Sequence, residues 1–214
     1  MEVQNHGVVF EDTVITALTG KAKSEYQDLF RNSYTSSMDI VKGCLSDANM
    51  SIKVSKGGKI VGCGDILRFL RHCRDDEFIM VIGSWNQVTQ TIKRYSEIYE
   101  FYITKESYYI LWGRLTEDAL RPFVEYVKSI PNGKTAQLAN RTKWKQMRSE
   151  LYNQFGKGLI SINAKIDSKT QRRVQCSMNL SDMIAAGIPF VKYTINYRNI
   201  LLPYEQKSPP RTFS

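Results

Sequence analysis

No apolar run in the sequence approaches the roughly 20 residues that a membrane-spanning helix needs, so insertion into a bilayer is not expected. The opening stretch MEVQNHGVVFED is acidic and polar, unlike a secretory leader, and the expected location is the cytoplasm. Cysteine is sparse: Cys44, Cys63, Cys73 and Cys176 form no CxxC pair and no even ladder, which excludes a zinc ribbon and a disulfide framework. Cys63, His72 and Cys73 would supply three zinc ligands and lack a fourth. With only His6 and His72 in the chain, histidine-based nucleophilic catalysis has little to work with. A G-x-x-x-x-G-K-[ST] phosphate loop is missing, and GCGDI at Gly62–Ile66 is too short for a dinucleotide fold, so a nucleotide-dependent enzyme is not expected. There is no internal repeat.

What is present is positive charge carried by a folded chain. Lys and Arg total 30 against 21 Asp and Glu among 214 residues, a formal net charge of +9. The basic residues are interleaved with acids and with 11% aromatics, unlike a disordered basic tail. An anionic partner follows, with nucleic acid the first choice. The length suits one domain over 1–214 with a single sizeable core.

Strand and helix patterns alternate along the chain, which argues for an α/β fold with a central mixed β-sheet flanked by helices. GKAKSEYQDLFR reads as a helix with Tyr26 on its apolar side, and the stretches DIV and MSIKV around SDAN read as a hairpin or adjacent strands. GDILRFLRHC reads as a helix with Asp65 at its start, and EFIMVIGSW as a buried strand. SYYILWG, from Ser107, reads as a second such strand, followed by a helix from Thr116 to about Ser129. This places a catalytic core at about 14–130, a DNA-contacting helix and ribbon at about 134–180, and an extended, proline-rich tail at about 203–214. Arg141, Lys143, Lys145 and Arg148 concentrate in the middle of one long basic helix, Lys134 to Phe155.

LISINAKIDSKTQRRVQCSM alternates on both sides of a turn at 167–170. Ile160, Ile162, Ala164 and Ile166 fall on one face, and Val174, Cys176 and Met178 line the corresponding face of the second strand. The other face presents Asn163, Lys165, Arg173 and Gln175, the side-chain types that read base edges or hold phosphates, on a ribbon that fits a major groove. Arg172 and Lys169 beside them, and Arg141 and Lys145 on the basic helix, complete the expected DNA contacts.

Asp39 opens the first of the two short stretches, and Ser51-Ile52-Lys53 lies on the second. Ser51 and Lys53 share a strand face, while Ile52 turns to the core with its backbone carbonyl still able to act as an oxygen ligand. A carboxylate, a carbonyl and a lysine on converging strands are what divalent-metal phosphodiester hydrolysis uses. In this arrangement the chain resembles the PD-(D/E)XK nuclease superfamily, and within it the type II restriction endonucleases. There an Asp begins one strand, an acid-x-Lys tripeptide lies on the next, and the metal sits between; Asp39, Ser51 and Lys53 are the matching positions. TGKAKSEYQDLF looks like the family's N-terminal helix, with its acid at Glu25, and the late ribbon is similar to DNA-facing strands of some members. The likeness covers about residues 19–85 and, more loosely, 158–180.

Met38 stands where the family has proline, and Ser51 where it has an acid. Serine is a poor substitute for a carboxylate on a divalent ion, so another acid is required. Asp65, at the start of the following helix, is the first choice, then Glu25, and more remotely Asp47. The resemblance implies a restriction-endonuclease-like core that cuts double-stranded DNA at a short site with Mg²⁺, held by Asp39, the Ile52 carbonyl and Asp65. It also implies a homodimer and a cognate DNA methyltransferase as functional partner. The rival expectations are a repair or recombination nuclease of the same fold, and a non-catalytic nucleic-acid-binding protein in which Ser51 records a lost site.

Overall fold

The computed structural model describes residues 5–30, 38–43, 47–166 and 171–207. In chain order its first elements are α1 (Asn5–Thr19), α2 (Lys23–Phe30), β1 (Asn49–Lys56), β2 (Ile60–Asp65), α3 (Ile66–Asp75), β3 (Phe78–Gln87) and β4 (Ile92–Ile103). Then come α4 (Lys105–Trp112), α5 (Glu117–Ser129), α6 (Lys134–Ala139), α7 (Arg141–Phe155), β5 (Ser161–Ile166), β6 (Arg172–Asn179) and α8 (Leu180–Ala185). Short strands close the chain: β7 (Phe190–Tyr193), β8 (Asn196–Tyr197), β9 (Ile200–Leu201) and β10 (Tyr204–Lys207). The fold is α/β, with a mixed sheet flanked by helices. Among the described residues no helix is long and apolar enough to cross a membrane.

Two compact units share the chain. The first comprises Met1–Val61, Glu77–Ile103 and Gly187–Ser214; the second comprises Gly62–Asp76 and Thr104–Ala186.

In the first unit β1 runs parallel to β3 along its whole length, from Asn49 opposite Phe78 to Lys56 opposite Trp85. β3 pairs antiparallel with β4, whose outer edge takes up β10 and β7 in turn. The expected FIMVIGSW strand is therefore the buried centre, flanked on both sides, which is why its apolar run is continuous rather than alternating. Helix α1 packs on this sheet through Phe10, Val14 and Ile15, spaced i, i+4 and i+5 and fully buried. Gly83 lies beneath the Phe10 ring: a Cβ there would stand 2.4 Å from the ring, so only glycine lets the aromatic settle on the strand backbone. Phe10 in turn stacks on Tyr95 at 4.8 Å, and Tyr95 on Tyr204 at 4.9 Å.

In the second unit α3, α5 and α8 pack on β6, and β6 pairs antiparallel with β5. Its core is built from Phe69, Leu70, Trp112, Phe123, Val127, Ile162, Val174 and Cys176. Burial pushes the Cys73 thiol up to about 12 and holds that of Cys176 well above its ordinary value, so both are packing groups.

Three expectations need correction. SYYILWG is not a strand but most of α4: a run of its length is ambiguous by pattern alone, and the Ser107 hydroxyl accepts from the Thr104 N–H at 3.2 Å, fixing a helix start. Ser107, Leu111 and Trp112 are buried at helical spacing, while Tyr109 is 71% exposed. The strand that neighbours β3 is instead IKRYSEIYEFYI, whose charged residues hid it. DIV contributes a single bridge, Ile40 opposite Met50, rather than a full strand. The long basic helix is broken at Asn140 into α6 and α7. In the proline-rich tail, Tyr204–Lys207 adds to the sheet as β10, pairing with β4; residues 208–214 lie outside those described.

Candidate active site

The site begins with an unmet hydrogen-bond requirement. Among the described residues, strand β1 is paired on the side away from β3 only at Met50, by the bridge to Ile40, and at Ser55, opposite Val61. Between these points the Ile52 N–H has no strand to donate to, and a buried amide without an acceptor is costly. Asp39 fills the gap: its Oδ2 accepts from the Ile52 N–H at 2.5 Å. The Lys53 ammonium donates to the Ile52 carbonyl at 3.1 Å and lies 3.5 Å from the same Asp39 oxygen. Asp39, Ile52 and Lys53 are thus brought together, as the sequence suggested.

Helix α2 also holds this segment. The buried Tyr26 hydroxyl accepts from the Val41 N–H at 3.1 Å, two residues beyond Asp39. One turn earlier, Lys23 places its ammonium 2.8 Å from Glu11 of α1, both side chains being less than 20% exposed. Asp12, next in α1, accepts from the Lys23 backbone N–H at 2.6 Å and locks the two helices in register.

Glu11 is the residue that sequence reasoning missed. Its carboxyl lies near enough to Asp39 to feel that residue's charge. Burial first, and the neighbouring Asp39 charge second, push the Glu11 carboxyl above its usual range, against the pull of Lys23. Two neighbouring acids at the edge of β1, with Lys23 on one and Lys53 on the other, form a cluster of four ionisable groups. The signal for it was the apolar spacing of Phe10, Val14 and Ile15 in GVVFEDTVITAL, which reads as an amphipathic helix and places Glu11 beside the anchoring Phe10.

The other candidate acids are engaged elsewhere. Asp65 belongs to the second unit, where it is the N-cap of α3 and accepts from the Arg68 N–H at 3.0 Å. Glu25 pairs with Lys21 at 3.1 Å, one helical turn away, and its side chain is 56% exposed. Asp47 sits exposed in a bend. Ser51 is buried. A further buried acid of the first unit, Glu100, receives the hydroxyls of Tyr193 and Tyr197 at 3.0 and 2.9 Å, with Arg198 at 3.4 Å, so its oxygens serve the fold.

The donors at the cluster are all oxygen: Glu11, Asp39 and the Ile52 carbonyl. Among the described residues, no three His, Cys, Asp or Glu side chains gather as a metal cage. A hard cation that retains several waters and takes one or two carboxylates, as Mg²⁺ does, suits this set, and a place where two acids lie near each other is one where positive charge is favourable.

In the second unit the ribbon presents the expected polar face, with Asn163 opposite Gln175 and Lys165 opposite Arg173. Lys165 is exposed, whereas the Asn163 amide is partly used, donating to the Ser177 hydroxyl at 2.8 Å. Arg172, expected as a DNA contact, is engaged by the fold: its guanidinium donates to the backbone carbonyls of Ile130, Pro131 and Gln171 at 2.6–2.8 Å, tying β6 to the end of α5. Lys169 lies outside the described residues. Arg141 and Lys145 are exposed on α7. That helix runs beside β5: Arg148 donates to the Ile162 carbonyl at 3.2 Å and the Tyr152 hydroxyl accepts from the Ile162 N–H at 2.7 Å, protecting the strand edge.

Comparison with protein-family models, with curated proteins and with solved structures returns no match to this chain.

Proposed function

We propose that the chain is a Mg²⁺-dependent, sequence-specific double-stranded DNA endonuclease of the type II restriction class, built on the PD-(D/E)XK plan. The observation that carries this reading is the Glu11–Asp39 carboxyl pair with Lys53 beside it on one strand edge. Glu11, from α1, stands in for the acid missing at Ser51, in preference to Asp65 and Glu25. Glu11, Asp39 and the Ile52 carbonyl would hold Mg²⁺. Bound there, the ion supplies charge stabilisation at a phosphoryl oxygen and a water more readily deprotonated than in bulk.

The chain's own residues do the rest. Lys53 holds a positive charge where the attacking water meets phosphorus and offsets the negative charge that builds up there. Lys23 anchors Glu11 and partly neutralises the acid pair. Ile52, turned into the core among Phe10, Val14 and Tyr26, fixes its carbonyl rigidly. The ribbon residues Asn163, Lys165, Arg173 and Gln175, with Arg141 and Lys145 of α7, would contact the duplex. The reading includes a cytoplasmic homodimer acting on a palindromic site, protected in the cell by a cognate methyltransferase.

The test is incubation with a long unmethylated DNA, with and without Mg²⁺, followed by fragment sizing. Discrete bands that need Mg²⁺ support the reading. A Mg²⁺-dependent smear, or cutting confined to branched or mismatched DNA, favours a repair nuclease, and binding without any nicking favours a non-catalytic protein.

A further inference from the structure

We propose a second binding site, in the second unit, that takes a single nucleobase of the bound DNA out of its stack. The site is a cavity of about 270 Å³ between the α6–α7 pair and β5, lined by Gln137, Leu138, Arg141, Trp144, Ala164 and Ile166. This inference rests on the nucleic-acid reading above and goes beyond its expected contacts to ribbon and phosphates.

The cavity has an identifiable origin. Helices α6 and α7 are tethered to the edge of β5 at two points: Gln137 donates to the Ile166 carbonyl, and Arg148 and Tyr152 bond the backbone of Ile162. Midway between the tethers, in a row otherwise made of isoleucines, stands Ala164. Its small side chain leaves open the space that another isoleucine would fill. A dry packing defect of that size would be a heavy cost in a closed core, but this one opens to solvent at Arg141, which is exposed, and at Leu138, which is 57% exposed.

Size and chemistry select the occupant. Drug-sized pockets run to about 300–1,000 Å³, so this one suits something smaller, on the scale of one planar heterocycle. Trp144 contributes an indole, and the Arg148 guanidinium lies 5.3 Å from the centre of its ring. An aromatic wall of this kind accepts any base by stacking. Apolar Ala164, Ile166 and Leu138 suit the faces of a base, while Arg141 and Gln137 offer hydrogen-bonding groups at its edge. The rim is basic, with Arg141, Lys143 and Lys145 exposed on α7, so the sugar-phosphate chain of an extruded nucleotide meets complementary charge.

The test uses the full chain without Mg²⁺, so that it reads binding and not cleavage. A short single-stranded oligonucleotide and an abasic sugar-phosphate oligomer of the same length are titrated while tryptophan fluorescence is followed. Trp85 and Trp112 are buried, so Trp144 is the indole within reach. The oligonucleotide should quench the fluorescence and the abasic chain should not, and the quenching should vanish in Trp144→Phe. Trp144→Ala should weaken oligonucleotide binding about tenfold. Ala164→Phe, which fills the cavity and keeps Trp144 and every charge, should do the same, with the salt dependence of binding unchanged. Equal behaviour of the two oligomers, or parent affinity in a folded Ala164→Phe protein, would overturn the base site and leave the DNA-binding reading standing. Failure to bind either oligomer, or duplex DNA, would overturn both.

Discussion

Two charge clusters, one in each unit, put acids and bases together to opposite ends. In the second unit Glu117 of α5 is surrounded by three arginines: Arg71 at 2.6 Å, Arg121 at 2.5 Å and Arg74 at 3.6 Å. The hydrogen bond from Arg71 holds its carboxyl below the usual range. In the first unit, by contrast, burial first and the nearby Asp39 charge second push the Glu11 carboxyl up. One acid is surplus in cations and stabilises the fold. The other is kept in an environment that disfavours its charge, which accords with the proposed metal site.

The largest expected effect falls on the first cluster. Lys53→Ala should reduce Mg²⁺-dependent nicking about 10²–10⁴-fold while leaving duplex binding at the parent level, measured side by side by gel assay and by fluorescence anisotropy. Gly83→Ala should come next, because its methyl meets the Phe10 ring that seats α1. A destabilisation of about 1–3 kcal/mol in urea unfolding is expected, together with lost nicking from a displaced Glu11. Asp65→Ala should cost about 1 kcal/mol through the lost cap of α3, with nicking retained once folded.

Glu117→Gln should give the smallest change, a lower thermal midpoint at neutral pH with no effect on nicking. The sign follows from the depressed carboxyl: its stabilisation is present above the ordinary carboxylate range and is lost as pH falls through the lowered value. The gap between parent and variant should therefore be widest near neutrality and close in acid. Glu11 behaves in reverse, since a raised carboxyl stabilises only while protonated and becomes a burden as pH rises.

Much of the architecture was legible in residue spacing. α3 and α5 follow from apolar periodicity, β3 from its continuous apolar run, and the β5–β6 ribbon from strict alternation. SYYILWG was illegible because seven apolar-rich residues fit either period, and only the Thr104–Ser107 hydrogen bond at its start decides for helix. β4 was hidden because a strand buried by neighbours on both sides can still carry Lys93, Arg94, Glu97 and Glu100 when partners such as Glu205 and Lys192 are supplied from distant β10 and β7. At the site, Asp39 and Lys53 were readable from local pattern. The helix that carries Glu11 was signalled by the spacing of Phe10, Val14 and Ile15, but its pairing was not, because Asp39 lies 28 positions away along the chain and is brought near through the packing of α1. Asp65 looked attractive for the feature that occupies it: a carboxylate at the start of a helix is first of all a cap.

The account rests on Glu11 as the acid that replaces the one missing at Ser51. The direct test is Mg²⁺-dependent nicking of supercoiled DNA by Glu11→Gln beside Asp65→Asn, with folding verified by thermal unfolding. The account predicts no nicking by Glu11→Gln, at a midpoint equal to or above the parent's at neutral pH, and parent-level nicking by Asp65→Asn. Nicking retained in Glu11→Gln and lost in Asp65→Asn would contradict it.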